Sequence, residues 1–234
     1  MTCLELKKSK NGKPGNLVKK YWKYWGTGKT IMDKTVAFIS DGLEIEARLA
    51  EGDHPKGVVI THPHPLYGGD MHNHVVAAVS RAYQEIGCTT LRFNFRGAGG
   101  SQGNYDDGIG EQEDVRAAVA YLADSGMRQI NLAGYSFGAW VNALAVNDGL
   151  KIDNLIMVSP PVAFIDFKSI ANLDSLKLIV TGSRDDIAPA GMVEKLYPTW
   201  NPTAKFEVIQ GADHFYGGYT NQLEAVLKNF LSSQ

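Results

Sequence analysis

The strongest constraint on the fold of this chain is an alternation. From residue 35 onward, short apolar runs of strand length are separated by segments whose apolar residues recur at helical spacing. Residues 35–39 and 43–50 flank Ser40-Asp41-Gly42, and the Asp-Gly step predicts a hairpin turn. A buried-strand run follows at 57–61, then a helix carrying Val75, Val76, Val79, Ala82, Tyr83 and Ile86, with Asn73 as its cap and Gly87 as its stop. Residues 89–95 read as strand. Val115, Ala118, Val119 and Leu122 mark the next helix, entered through Glu111, Glu113 and Asp114, acids that suit a helix N-terminus. Strand 130–133 precedes helix 137–146, strands 155–158, 178–181 and 206–209 follow, and an amphipathic helix at 223–231 closes the chain. Such alternation implies a largely parallel sheet of about eight strands with helices on both faces.

In open sheets of this kind, chemistry collects at the carboxyl ends of the strands. Directly after 130–133 stands Gly134-Tyr135-Ser136-Phe137-Gly138, running straight into a helix. G-x-S-x-G between strand and helix forces the serine into a strained turn, and glycine on either side lets the two elements cross closely. Ser136 is therefore the candidate nucleophile, and the Phe137 N–H at the helix start is a candidate donor to a developing oxyanion. A serine hydroxyl needs a base, and the base an orienting acid. The strand at 178–181 is followed by Gly182-Ser183-Arg184-Asp185-Asp186, and the strand at 206–209 by Gly211-Ala212-Asp213-His214. The order Ser136, Asp185, His214 differs from those of trypsin and subtilisin. Asp185 is preferred over the adjacent Asp186, because Ile187 and Pro189 then fall at helix-entry positions.

The loop after residue 61 reads Thr61-His62-Pro63-His64-Pro65-Leu66-Tyr67-Gly68-Gly69, and five of the six histidines (54, 62, 64, 72, 74) gather in this region. His62, His64, His72 and His74 invite a metal reading. Against it stand the lack of a nearby cysteine, the prolines that break side-chain alternation, and a complete serine machinery elsewhere, so no metal or cofactor is expected. The same loop is the place for a second oxyanion donor. Pro63 and Pro65 have no N–H, which leaves His64, Leu66 or Tyr67, with His64 the first choice and Leu66 the second. The run Arg96-Gly97-Ala98-Gly99-Gly100-Ser101-Gln102-Gly103 resembles a dinucleotide loop but has Gln102 where the third glycine belongs. Arg92 or Arg96 is expected to pair with Asp106, Asp107 or Asp114.

Together the elbow, the Gly182…Asp185…Pro189 stretch, the Asp213-His214 pair and the Asn94-Phe95-Arg96-Gly97-x-Gly99-x-Ser101 loop resemble the α/β-hydrolase superfamily. The His62-Pro63-His64-Pro65…Gly68-Gly69 run is similar to small, capless bacterial members of the esterase-like and dienelactone-hydrolase-like kind. The resemblance spans about residues 33–232. It implies an α/β-hydrolase fold and a serine hydrolase acting on esters through an acyl-enzyme. Two departures matter. The common His-Gly start of the oxyanion loop is His62-Pro63 here, and dienelactone hydrolases resemble a cysteine-nucleophile version, against which Ser136 argues. Residues 159–175 are too few for a large lid, so the pocket is expected to be shallow and open, walled by Tyr67, Phe164, Phe167 and Tyr216 among others. Small or short-acyl esters are the expected substrates. A serine peptidase or amidase of the same fold, a metal-dependent hydrolase and a non-catalytic binding protein are the alternatives.

Composition narrows the partners. The 234 residues carry a formal charge of −2, which hides a split: residues 1–30 hold eight lysines and one acid, leaving −9 for the rest. Tyr21, Trp22, Tyr24 and Trp25 interleave with those lysines. A basic, aromatic arm suits nucleic acid or a membrane surface; the favoured reading is a leader (1–31) that is appended or without a partner, ahead of a hydrolase domain at 32–234. No nucleic-acid or membrane partner is expected, and a homodimer stays open beside the small-molecule ester. Two cysteines, Cys3 and Cys88, exclude a disulfide framework, and the N-terminus lacks the apolar stretch of a signal peptide, so the expected compartment is cytoplasmic.

Overall fold

A computed structural model describes residues 33–234; the expected leader at 1–31 lies outside the described residues. Eight strands form one sheet in the order β1-β2-β4-β3-β5-β6-β7-β8. β1 (Asp33–Ser40) and β2 (Leu43–Ala50) are an antiparallel hairpin, and β2 runs antiparallel to β4 (Thr89–Phe93). The remaining strands, β3 (Lys56–Thr61), β5 (Gln129–Tyr135), β6 (Asn154–Val158), β7 (Leu176–Gly182) and β8 (Lys205–Ile209), are parallel to β4 and to one another. The hairpin turn carries Asp41 at φ 49° and Gly42 at φ 79°, the two positive angles that match the twist of the flanking strands.

Five helices cover the sheet. Val58 and Ile60 of β3 face α1 (His74–Glu85) and α5 (Thr220–Leu231), while Val59 faces the opposite side with α2 (Ile109–Asp124), α3 (Phe137–Asn147) and α4 (Ala190–Trp200). Alternate residues of one strand thus feed two separate cores. The α1 cap is the expected one, with Asn73 Oδ1 accepting from the Val75 N–H at 2.9 Å. α4 was not legible in the sequence: Gly191 and Pro198 interrupt it, and only Val193 and Trp200 are buried.

One expectation is corrected. β4 stops at Phe93 rather than 95, because the Phe95 N–H donates to His62 Nε2 at 3.0 Å instead of to a neighbouring strand. The expected pair of Arg96 with Asp114 is present at 2.8 Å, with Asp41 at 3.3 Å from the same guanidinium, whereas Arg92 pairs with Asp33. Asp114 is fully buried and also accepts the Arg96 N–H at 2.9 Å, so this pair ties the loop after β4 to α2. Removing one member would leave the other charged and unpaired in the interior.

Residues 159–175, between β6 and β7, contain no helix or strand. Among the described residues no helix is long and apolar enough to cross a membrane. The ends of β3, β5, β7 and β8 therefore open on one side of the sheet without a helical lid from that segment.

Candidate active site

Ser136 sits between β5 and α3 at φ 54°, ψ −119°, a conformation that costs about 1–3 kcal/mol for a residue with a Cβ. The Ser136 N–H donates to Val158 O at 2.9 Å, and the Ala139 N–H donates to the Ser136 carbonyl at 2.9 Å, so the neighbouring strand and the helix start hold the turn. The flanking glycines are steric requirements. A Cβ at Gly134 would lie 2.5 Å from the Ala139 nitrogen, and one at Gly138 would lie 2.5 Å from Thr61 Oγ1.

The structure brings the three candidate side chains together. His214 Nε2 lies 2.9 Å from Ser136 Oγ, and His214 Nδ1 lies 3.0 Å from both carboxylate oxygens of Asp185. All three residues are buried. A carboxylate only accepts, so Nδ1 of the neutral ring carries the hydrogen and Nε2 is left to accept from the serine hydroxyl. Asp185 is further fixed by the Ile187 N–H at 3.0 Å and the Ala188 N–H at 2.6 Å. Burial pushes its carboxyl upward, but the hydrogen bond and charge of His214, with the Ala188 N–H and the Ser159 hydroxyl, outweigh that and hold it below the usual carboxylate range. Asp186 points away and is exposed. Such an arrangement can take a proton from a hydroxyl and stabilise the imidazolium that results.

The expected oxyanion donors are the N–H groups of Phe137, His64 and Leu66. Among the described residues, neither the Phe137 nor the His64 backbone N–H donates to a protein acceptor. Leu66 differs, because its N–H is already given to His64 Nδ1 at 3.3 Å.

A cleft of about 820 Å³ opens at Ser136 and His214. Tyr67 and Phe164 line it as expected, with Tyr105, Trp140 and Phe215 in addition. Phe167 and Tyr216 do not. Phe167 turns inward against Trp200, ring centroids 5.1 Å apart, and Tyr216 is fully buried with its hydroxyl 2.9 Å from Ser159 Oγ. Spacing near a strand end could not reveal which aromatic faces in. The cleft volume is of the order that accommodates a drug-sized group.

The clustered histidines have separate duties. His62 is fully buried; Nε2 accepts from Phe95, Nδ1 lies 2.6 Å from Pro63 O, and burial lowers its pKa to about 4. His74 Nε2 lies 2.7 Å from Phe215 O, bracing the loop that carries His214. Among the described residues no three His, Cys, Asp or Glu side chains converge on a point that could hold a metal ion. One supporting residue was missed in the sequence. Tyr135, the first variable position of the elbow, donates its hydroxyl to the His214 carbonyl at 2.9 Å. The signal was present, in a large polar aromatic at the end of a buried strand, whose hydroxyl must find a partner.

The sheet order, the lidless strand ends and the elbow define a class, the α/β hydrolases. No family model matches the chain. An uncharacterized protein of Rickettsia prowazekii (strain Madrid E) is 36% identical over 199 residues, covering 80% of this chain and 84% of the relative. A solved α/β serine hydrolase homologue from Coxiella burnetii is also 36% identical, with a TM-score of 0.80 over 85% of this chain and 97% of the other. An α/β serine hydrolase without lid from Xanthomonas campestris follows at 27% identity and a TM-score of 0.79, covering 86% and 94%. The chain belongs to the α/β serine hydrolase family.

Proposed function

We propose that this protein is a carboxylesterase that works through Ser136, His214 and Asp185 and an acyl-enzyme intermediate. The observation that carries the reading is the 2.9 Å approach of His214 Nε2 to Ser136 Oγ, with His214 Nδ1 held on the Asp185 carboxylate. His214 removes the hydroxyl proton as Oγ attacks the ester carbonyl. The carbonyl oxygen gains negative charge and takes hydrogen bonds from the Phe137 and His64 N–H groups, which are worth most in that charged state. Collapse expels the alcohol, protonated by His214. Water, deprotonated by the same ring, then attacks the acyl carbon, and the acid leaves with Ser136 restored. Asp185 stays ionised throughout, fixing the tautomer and the cation.

The cleft supports a substrate class. Among the described residues its lining includes Tyr67, Tyr105, Phe137, Trp140, Phe164 and Phe215, with Asp107 and Asp166 and no Lys or Arg, which favours uncharged esters with apolar or aromatic groups over anionic ones. Its volume of about 820 Å³ extends the class beyond short acyl chains. The partner in this reading is the small-molecule ester itself, and a reducing cytoplasm suits a chain whose Cys88 is buried and, among the described residues, unpaired.

The test is hydrolysis of a p-nitrophenyl ester by the wild type and by Ser136→Ala, with labelling by a fluorophosphonate probe. The expected result is turnover and labelling in the wild type and loss of both in the variant, by about 10⁶-fold in kcat. Hydrolysis that survives the substitution would refute the mechanism.

A further inference from the structure

The loop after β3 ends in a side-chain relay that takes no part in moving the proton. His64 caps the short turn Pro65–Tyr67 with its own ring, Nδ1 accepting from the Leu66 N–H at 3.3 Å. With Nδ1 accepting, the hydrogen of the neutral imidazole sits on Nε2. Nε2 lies 3.2 Å from the Tyr105 hydroxyl. The relay thus joins the loop after β3 to the loop after β4.

Packing and backbone bonds hold the same residue from other directions. The His64 ring centroid lies 4.7 Å from that of Phe137, 4.8 Å from Tyr67 and 4.9 Å from Tyr105. Its carbonyl accepts from the Tyr67 and Gly69 N–H groups, each at 3.1 Å. Burial also lowers the ring's pKa, which favours the neutral form that can accept from Leu66. Ring and carbonyl are both tied down, and the backbone N–H is the one polar group of His64 without an acceptor among the described residues.

We propose that the His64 side chain is a positioning group for the oxyanion hole: clamped between the Leu66 N–H and the Tyr105 hydroxyl, and packed on Phe137, it aims its own backbone N–H beside that of Phe137 before substrate arrives. A donor fixed in advance needs no reorganisation when charge develops. The proposal rests on the oxyanion reading given under Proposed function.

The experiment compares His64→Ala, His64→Asn and Tyr105→Phe in the full chain. It uses a neutral p-nitrophenyl ester as substrate and an aryl boronic acid, whose serine adduct places an oxygen in the hole. His64→Ala loses both ties, and kcat is expected to fall about 10–100-fold, short of the ~10²–10³ of a donor removed outright. KM should stay within about twofold, and the boronic acid should weaken by the same factor as kcat. His64→Asn keeps a short acceptor for the Leu66 N–H but cannot reach Tyr105, and Tyr105→Phe cuts only that link, so each should lose about fivefold. Thermal melts on all three separate these effects from unfolding, and the milder pair carries the test if His64→Ala does not fold. A raised KM with unchanged kcat would overturn the proposal by making the ring a substrate wall. So would a loss of kcat without a matching loss of boronic-acid affinity. A wild type that neither hydrolyses the ester nor binds the boronic acid would instead overturn the esterase reading, and this proposal with it.

Discussion

The two sides of Ser136 are built in opposite ways. On the His214 side the polar side chains are bonded inward: Asp185 takes two backbone N–H groups as well as the imidazole, and Tyr135 holds the His214 carbonyl. On the His64 side the groups that would meet substrate are backbone N–H donors and an outward-facing ring, Tyr67, 88% exposed. The first side is buried and satisfied, so a change there leaves a polar group stranded in a low-dielectric interior. The second is open, so a change there alters fit. Proton transfer needs one fixed geometry, and an apolar cleft wall does not.

The sharpest way to break this comparison is at the acid. Asp185→Asn keeps the shape but replaces an acceptor-only carboxylate with an amide that can hold the wrong imidazole tautomer. A loss of about 10⁴-fold in kcat is expected, against less than twofold for the exposed Asp186→Asn. Steady-state kinetics on a p-nitrophenyl ester measures both, and equal losses would mean the two acids had been confused. The same substitution should lower stability at neutral pH and flatten its decline in acid. The folded Asp185 carboxyl lies below its usual range, so its contribution is present above the unfolded pKa of about 4 and lost as pH falls through the folded value.

Two phenylalanines three residues apart test the boundary between core and cleft. Phe167 is buried against Trp200, and Phe167→Ala should cost about 3–5 kcal/mol in urea unfolding with KM unchanged. Phe164 lines the cleft, and Phe164→Ala should leave stability within about 0.5 kcal/mol and raise KM a few-fold. A swapped outcome would invert the assignment of this segment.

This pair also marks where the sequence stops being readable. Ser136, Asp185 and His214 were legible because their chemistry requires particular side chains at strand ends, and the elbow requires glycine at 134 and 138. The parallel sheet was legible from its apolar runs. The walls were not, because residues 159–175 have no regular periodicity, so nothing in the order of residues says that Phe164 faces out and Phe167 in. The expected second donor was only narrowed to the loop after β3, since a backbone N–H belongs to every residue but proline. α4 escaped because Gly191 near its start and Pro198 inside it are helix breakers that mask its apolar positions.

His62 offers an intermediate case, a loop histidine that is structural. Its folded pKa of about 4 lies below the unfolded value of 6.5. Between those values the unfolded chain binds the extra proton, so stability falls as pH drops through the window, by about 3 kcal/mol in all. Urea unfolding at pH 7, 5.5 and 4 measures the slope. His62→Gln, whose amide oxygen can still accept from the Phe95 N–H, should flatten it, and an unchanged slope would mean that other groups carry the acid sensitivity.

Tyr135 makes the smallest and most discriminating test, because it belongs to the buried side yet sits within the elbow. Its hydroxyl touches no reacting atom; it holds the His214 carbonyl, and through it the ring. Tyr135→Phe leaves the aromatic packing in place and strands one carbonyl, a loss of about 1–3 kcal/mol if nothing replaces the donor. Should that cost fall on the placement of His214, kcat drops about tenfold at constant KM. Fluorophosphonate labelling of Ser136 should slow by a similar factor, since that reaction needs the same base. If the loss appears in the melting temperature alone, the hydroxyl supports the fold and not the ring, and the buried side of the site tolerates more than its dense bonding implies.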